Sequence, residues 1–302
     1  MLFSLVLLLT AQAPTPSEPI IVSTAERPGV TFSVRTLGTH VFATDLKADD
    51  AGDLAVSRGR VFLGTDIAVD DRGRSRLGFS FDAEFSDYDF SGAGTAFDGA
   101  EDALEALSQY RFAGRYLTPL SPTWTLSVGG GVASSGESGA DFQDTLSFRA
   151  FAGALCRVTD DFEIGPGYVF RTEFEDDPFF IPIIPFRWKI DERWRLGVFD
   201  EPRLTLEYTA SDAWAFTLEG GYERRLWRLD DDAPVPEGAF RDASVPVGVG
   251  AVFKPARGIE IRADAGVQVW QLVKFLDDDG DEFADVETDP TPYAALEVIV
   301  RF

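Results

Sequence analysis

Residues 259–269 read Ile259-Glu260-Ile261-Arg262-Ala263-Asp264-Ala265-Gly266-Val267-Gln268-Val269. Odd positions are apolar, and even positions are charged, polar or glycine. Successive side chains of a strand point to opposite sides, so a period of two describes a strand with one oily and one charged face. The pattern recurs along the chain. Leu77, Phe79, Phe81, Ala83 and Phe85 oppose Arg76, Ser80, Asp82 and Glu84. Phe162, Ile164, Pro166, Tyr168 and Phe170 oppose Glu163, Gly165, Gly167, Arg171 and Glu173. Trp214, Phe216, Leu218 and Tyr222 oppose Thr217, Glu219 and Glu223. Strands of soluble sheets usually run about 5–6 residues, whereas a tilted strand crossing a hydrocarbon layer needs about 9–11. In lipid no backbone group can stay unpaired, so a spanning sheet has to close on itself. The expected fold is all-β, a single closed antiparallel transmembrane β-barrel. A soluble, secreted barrel or propeller is the alternative reading of the same alternation.

Composition removes other classes. The chain has 302 residues with 28 Gly, 26 Phe, one Cys, one His and a net charge of −24. One cysteine excludes a disulfide scaffold, and the aromatic content argues against disorder. The negative charge argues against a nucleic-acid partner, since phosphate contacts need clustered Lys and Arg. His40, the only imidazole, lies beside Val41 and Phe42 with no accompanying nucleophile motif. There is no Gly-rich phosphate loop and no zinc set. No catalytic residues and no cofactor are expected, and Cys156 reads as a small packed side chain.

The first residues give an address. Leu2 to Leu9 is an apolar run broken only by Ser4, and Ala11 and Ala13 form a small-x-small cleavage pattern. The run is too short to span a bilayer as a helix, which takes about 20 residues. Residues 1–13 are therefore expected to be a signal peptide, although no Lys or Arg precedes the run and Pro14 follows the site. Residues 14–28, with Pro14, Pro16, Pro19 and Pro28, read as an extended periplasmic lead-in, and 29–302 as the barrel.

The last residues carry the most specific signal. Ala294, Leu296, Val298, Val300 and Phe302 alternate up to a terminal aromatic. This resembles the C-terminal signature of the bacterial outer-membrane β-barrel superfamily. With the signal and the alternating strands it covers nearly the whole chain, which looks like an uncharacterised family within it. The resemblance implies residence in the outer membrane of a Gram-negative bacterium, after export through a cleaved signal. It also implies contact with outer-membrane lipid and lipopolysaccharide, and a last strand ending in Phe302 that the barrel-assembly machinery reads. It carries no substrate.

Turn signals set the strand count. Ser121-Pro122-Thr123-Trp124, Thr159-Asp160-Asp161-Phe162, Asp191-Glu192-Arg193-Trp194 and Ser211-Asp212-Ala213-Trp214 are short polar turns leading into an aromatic. They are expected on the periplasmic side, their rings at the membrane interface. Longer acidic stretches lie between them: Asp45 to Asp53, Ser86 to Ser108, Ser134 to Asp141, Leu229 to Arg241 and Leu276 to Pro292. The resulting tiling is 30–44, 55–69, 75–90, 109–118, 123–133, 142–157, 161–174, 180–190, 192–200, 203–210, 213–228, 242–254, 258–275 and 293–302, about 14 strands and an even number. Pro182 and Pro185, and the tight turn at Asp200 to Arg203, are where the count would fall to twelve.

Function is expected in the lumen. Its face carries Arg60, Asp66, Arg76, Asp82, Glu84, Arg111, Arg115, Arg149, Glu163, Arg171, Glu173, Arg203, Glu207, Glu219, Glu223, Arg225, Arg262 and Asp264. Opposed rows of both signs could select small polar solutes in a water-filled pore, or fill a closed interior with ion pairs. A passive channel or transport-associated barrel is the first reading. A non-conducting structural or adhesion barrel acting through its acidic outer loops is the alternative. Asp98, Glu101, Ala100, Ala103, Leu104 and Leu107 suggest a short helix at 99–108 near the mouth. Asp277, Asp279, Asp281 and Asp285 partly match a calcium loop, but Glu282 and Thr288 stand where that loop requires Gly and a bidentate Glu. A solvated acidic loop is the expected outcome there, and such loops could still hold divalent cations loosely beside lipopolysaccharide phosphates.

Overall fold

The computed structural model describes residues 29–47, 52–91, 104, 106–174, 176–198, 203–231 and 235–302. Eighteen hydrogen-bonded segments form one sheet, and among the described residues they make fourteen staves, four of them broken in two. In chain order these are β1 (Val30–Asp45), β2 (Asp53–Ala68), β3 (Arg76–Ser91), β4 (Leu107–Pro119), β5 (Trp124–Gly136), β6 (Leu146–Thr159) and β7 (Phe162–Ile164 and Gly167–Glu173). They continue with β8 (Asp176–Ile183 and Phe186–Lys189), β9 (Trp194–Val198), β10 (Arg203–Thr209), β11 (Trp214–Gly221 and Glu223–Arg228), β12 (Ala239–Ala256), β13 (Ile259–Leu276) and β14 (Glu282–Glu287 and Thr291–Arg301). Consecutive staves pair antiparallel, and β1 pairs with β14 from Ser33↔Arg301 to Val41↔Tyr293, which closes the ring. The alternative count of twelve does not hold.

The two prolines leave β8 in the wall. β8 breaks at Ile184–Pro185 and β7 breaks beside it at Gly165–Pro166. Proline lacks a donor but keeps its acceptor. Gly165 N–H donates to the Pro185 carbonyl at 3.1 Å and Ala154 N–H to the Pro166 carbonyl at 3.0 Å, so the ladder crosses both breaks.

The oily parity faces outward. Phe79, Phe81, Phe85, Phe112, Phe216, Leu218, Val249, Val267 and Leu296 are exposed on the outer wall, with Phe81 at 41%. No helix among the described residues is long and apolar enough to cross a membrane, and the crossing is made by strands. The short turns share one device. Asp191 Oδ1 accepts the N–H groups of Arg193 and Trp194 at 2.7 and 2.9 Å, and Ser121 Oγ accepts that of Trp124 at 3.0 Å. Ser211 Oγ accepts that of Trp214 at 3.2 Å. Asp and Ser side chains close such turns on their own backbone, which fixes Trp124, Trp194 and Trp214 at one rim. At the Arg257-Gly258 turn a positive φ of 78° requires glycine. Both described chain ends lie at this rim, where Phe32 and Phe302 exchange backbone hydrogen bonds at 2.9 and 3.3 Å. By the rule that short turns are periplasmic, this is the periplasmic rim.

The opposite rim departs from expectation. Leu276 to Pro292 is not one long loop, because Glu282–Glu287 pairs back onto β13 and leaves a tight turn at 277–281. The Leu229 to Arg241 stretch is not a simple outer loop either. Beyond Gly221 the end of β10 is passed, and the outer half of β11 reaches across the mouth to β5, where Arg228 bridges Gly136 and Glu137 N–H donates to the Arg228 carbonyl at 2.8 Å. Leu226 and Trp227 are both buried, as are Ala239, Phe240, Asp242, Ala243 and Ser244. A wall stave has one face toward lipid; this hairpin has none, so it lies over the lumen. Tyr222, whose parity places it on the oily face, instead lines the interior, just past Gly220 and Gly221 where β11 turns inward. The signal peptide, the lead-in, most of the 99–108 helix and the 199–202 turn lie outside the described residues. Of that helix, Leu107 and Ser108 belong to β4, and Leu104 is buried in the interior cluster.

Candidate functional site

The interior is layered along the barrel axis. At the loop rim, side chains from eight staves form an apolar cap: Val41, Val56, Tyr88, Leu107, Trp227, Phe240, Val273, Phe275 and Tyr293 among them, with Leu104. Tyr88 meets the rings of Phe240 and Trp227 edge-on at centroid distances of 4.9 and 5.7 Å. Close-packed aromatic and branched side chains exclude water at this level.

Beneath the cap lies a latch of ions that ties the hairpin to the far wall. Asp242 of β12 is fully buried and accepts from Arg58 Nη2 at 2.5 Å, Tyr88 Oη at 2.7 Å and Gln271 Nε2 at 3.0 Å. Arg225 Nε of β11 donates to Glu84 Oε1 of β3 at 2.7 Å and its Nη1 to Glu223 Oε2 at 2.9 Å. Arg224 reaches Glu173 of β7, which also holds Arg171 at 3.1 Å. Buried carboxylates are tolerated only where cationic or polar donors reach them: the hairpin's Arg225 and Arg224 reach Glu84 and Glu173, while Arg58, Tyr88 and Gln271 of the wall reach the hairpin's Asp242.

Below the latch opens a chamber of about 1500 Å³ whose lining runs down to the periplasmic turns at Asp160, Asp212 and Arg257. Twelve of the eighteen expected lumen residues line it: Arg60, Glu84, Arg111, Arg149, Glu163, Arg203, Glu207, Glu219, Glu223, Arg225, Arg262 and Asp264. Arg262 Nε grips Asp264 at 2.8 Å and its Nη2 reaches Glu219 at 2.5 Å, while Arg203 Nη1 reaches Glu219 at 2.6 Å. Six do not line it. Asp82 is buried under Arg60, whose Nε lies at 2.6 Å, and Arg111. Asp66 and Arg115 pair at 2.9 Å beside a small separate cavity. Arg171 and Glu173 are buried in the latch, and Arg76 stands at the periplasmic start of β3.

Parity alone could have found Arg58, which shares its face with Arg60, and Arg35, which pairs with Glu297 at 3.1 Å. Asp242 gave no such signal, because its surroundings are buried on both sides. Asp277 Oδ1 accepts the N–H groups of Asp279 and Asp281 at 3.1 and 2.8 Å, and Asp285 lies 3.6 Å from Lys274 Nζ. Among the described residues no group of three or more candidate ligands converges.

A closed antiparallel barrel with a lipid-facing apolar girdle, aromatic turns at one rim and a charged interior defines a transmembrane β-barrel of the outer-membrane kind. Residues 98–301 match the family described as a domain of unknown function, DUF6268, and the chain belongs to it. No curated protein matches the chain. Among solved structures it is similar to the COG4313 outer membrane channel from Pseudomonas putida F1, with 12% identity, 95% of this chain and 100% of that one covered, and a TM-score of 0.50. It also matches the P. putida toluene transporter TodX at 9% identity, with 95% and 93% covered and a TM-score of 0.47. At these identities the likeness is one of fold.

Proposed function

We propose that the protein is exported through a signal peptide at 1–13 and inserted into the outer membrane of a Gram-negative cell. There it serves as a transport barrel for small polar solutes. The observation that carries this reading is the chamber of about 1500 Å³ itself. A barrel that only needed filling would pack its interior, as 8-stranded barrels do, whereas here a large charged volume stays open toward the periplasm. The apolar cap and the ionic latch make the conformation described a closed one, and passage requires the β11–β12 hairpin to swing off the opposite wall.

The test is a planar-bilayer recording of the wild type beside Asp242→Ala, which removes the acceptor shared by Arg58, Tyr88 and Gln271. The expected result is rare, short openings for the wild type and frequent stepwise conductance for D242A. The closed cap also favours a second reading, a non-conducting structural or adhesion barrel. That reading stands if both proteins, shown to be inserted and heat-modifiable on gels, stay silent.

A further inference from the structure

The charge of the interior is the reverse of the charge of the chain. Among the described residues the chamber is lined by sixteen Lys and Arg but eleven Asp and Glu, in a chain with 27 basic and 51 acidic residues. More than half of all cations have been gathered into one cavity, and only about a fifth of the anions.

Most of those guanidinium groups are matched, but Arg149 of β6 is not. Among the described residues its side chain makes no ion pair or hydrogen bond, and its Nε is buried with no partner. Its cross-strand neighbour on β7 is Arg171, a second cation directly opposite, and like charges in that position repel. On its other side β5 offers Gly131, which has no side chain to answer it. The nearby carboxylates are already shared: Asp82 by Arg60 and Arg111, Glu173 by Arg171 and Arg224. A guanidinium placed at the closed end of a cavity, against another guanidinium and with no ion pair among the described residues, has an unmet demand for an anion.

We infer that the closed end of the chamber at Arg149 is a binding site for an anionic solute, one presenting a carboxylate or phosphate group. The planar fork of arginine matches such a group with two parallel hydrogen bonds. This deepens the transport reading by naming its class of solute and rests on that reading for its physiological meaning, though not for its measurement.

The probe is inorganic phosphate, titrated against the full-length barrel in detergent at constant ionic strength with chloride as the reference. Binding is read as a rise in the thermal unfolding midpoint, since a ligand of the folded state stabilises it by mass action. The wild type should be protected by phosphate beyond chloride. Arg149→Gln should raise the phosphate Kd by about 10- to 100-fold, the worth of a hydrogen bond to a charged group. Arg72→Gln, the same charge change on an exposed periplasmic turn, should leave it within twofold of wild type. The site is overturned if phosphate protects no better than chloride, or if R149Q and R72Q respond alike. Should R149Q not reach the heat-modifiable form, Arg149→Lys takes its place, because it keeps the charge and loses the fork: weakened protection supports the site, and unchanged protection removes it. Arg149-dependent protection in a barrel that never conducts would keep the site and discard transport; conductance without such protection would do the reverse.

Discussion

Stave β3 and the hairpin of β11 and β12 carry the same kinds of residue in opposite surroundings. On β3, Phe79, Phe81 and Phe85 stand on the outer face while Asp82 and Glu84 are buried behind them. On the hairpin, Phe240 and Asp242 are both fully buried, as are Leu226 and Trp227, which are adjacent in sequence. A stave divides an oily solvent from a polar interior, so its faces differ. The hairpin's Leu226, Trp227, Phe240 and Asp242 are all buried, so polar atoms there must pair and rings must pack. The same aromatic side chain therefore does two different jobs, and substitutions should separate them.

The largest effects belong to the hairpin. Asp242→Ala leaves Arg58 buried without its carboxylate and should cost about 3–5 kcal/mol, read from reversible urea unfolding in lipid or detergent. Phe240→Ala, which opens a void in the cap, should also cost about 3–5 kcal/mol and admit conductance. If Phe240→Ala leaves stability unchanged, the contrast between the two regions fails. Next comes the outer face: Phe81→Arg places a charge toward acyl chains and should cost about 2–4 kcal/mol near the midplane, whereas Phe81→Leu should stay near wild type. A tolerated arginine there would mean that this face does not meet lipid.

The smallest effect lies at the periplasmic rim. Backbone hydrogen bonds from Arg193 and Trp194 hold the Asp191 carboxyl below its ordinary value of 3.8. A carboxyl lowered in the folded state adds stability that is present above the unfolded value and is lost as pH falls through the folded one. Asp191→Asn keeps an acceptor oxygen but cannot titrate. The wild type should be slightly more stable than D191N near neutral pH, and the difference should close as the pH drops below about 3.8. A gap that persists in strong acid would assign the effect to something other than this turn.

Much of the wall could be read from residue order. The tiling 258–275 became Ile259–Leu276, and 203–210 became Arg203–Thr209, because alternation and turn residues are local signals. Parity also placed Arg262, Asp264 and Glu219 inside together. It could say which way a side chain faces, but not which other side chain it meets. Arg58 and Asp242 are 184 positions apart, and their contact exists only because one hairpin leaves the wall and crosses the mouth. The segment around Asp242 has no clean alternation for the same reason, since both of its faces are covered.

By itself, the order of residues determined an all-β barrel of about fourteen staves, the oily outer face, the rim that carries the short turns and the charged lumen. Each of these follows from a period of two or from a turn, features that span a few neighbours. The tertiary structure alone decided that the mouth is capped, that the charged lumen is a chamber open toward one rim, and that Arg149 stands in it with no ion pair among the described residues. Those outcomes depend on distances between staves far apart in the chain, and ion pairing across a closed ring is set by which residues the closure brings face to face.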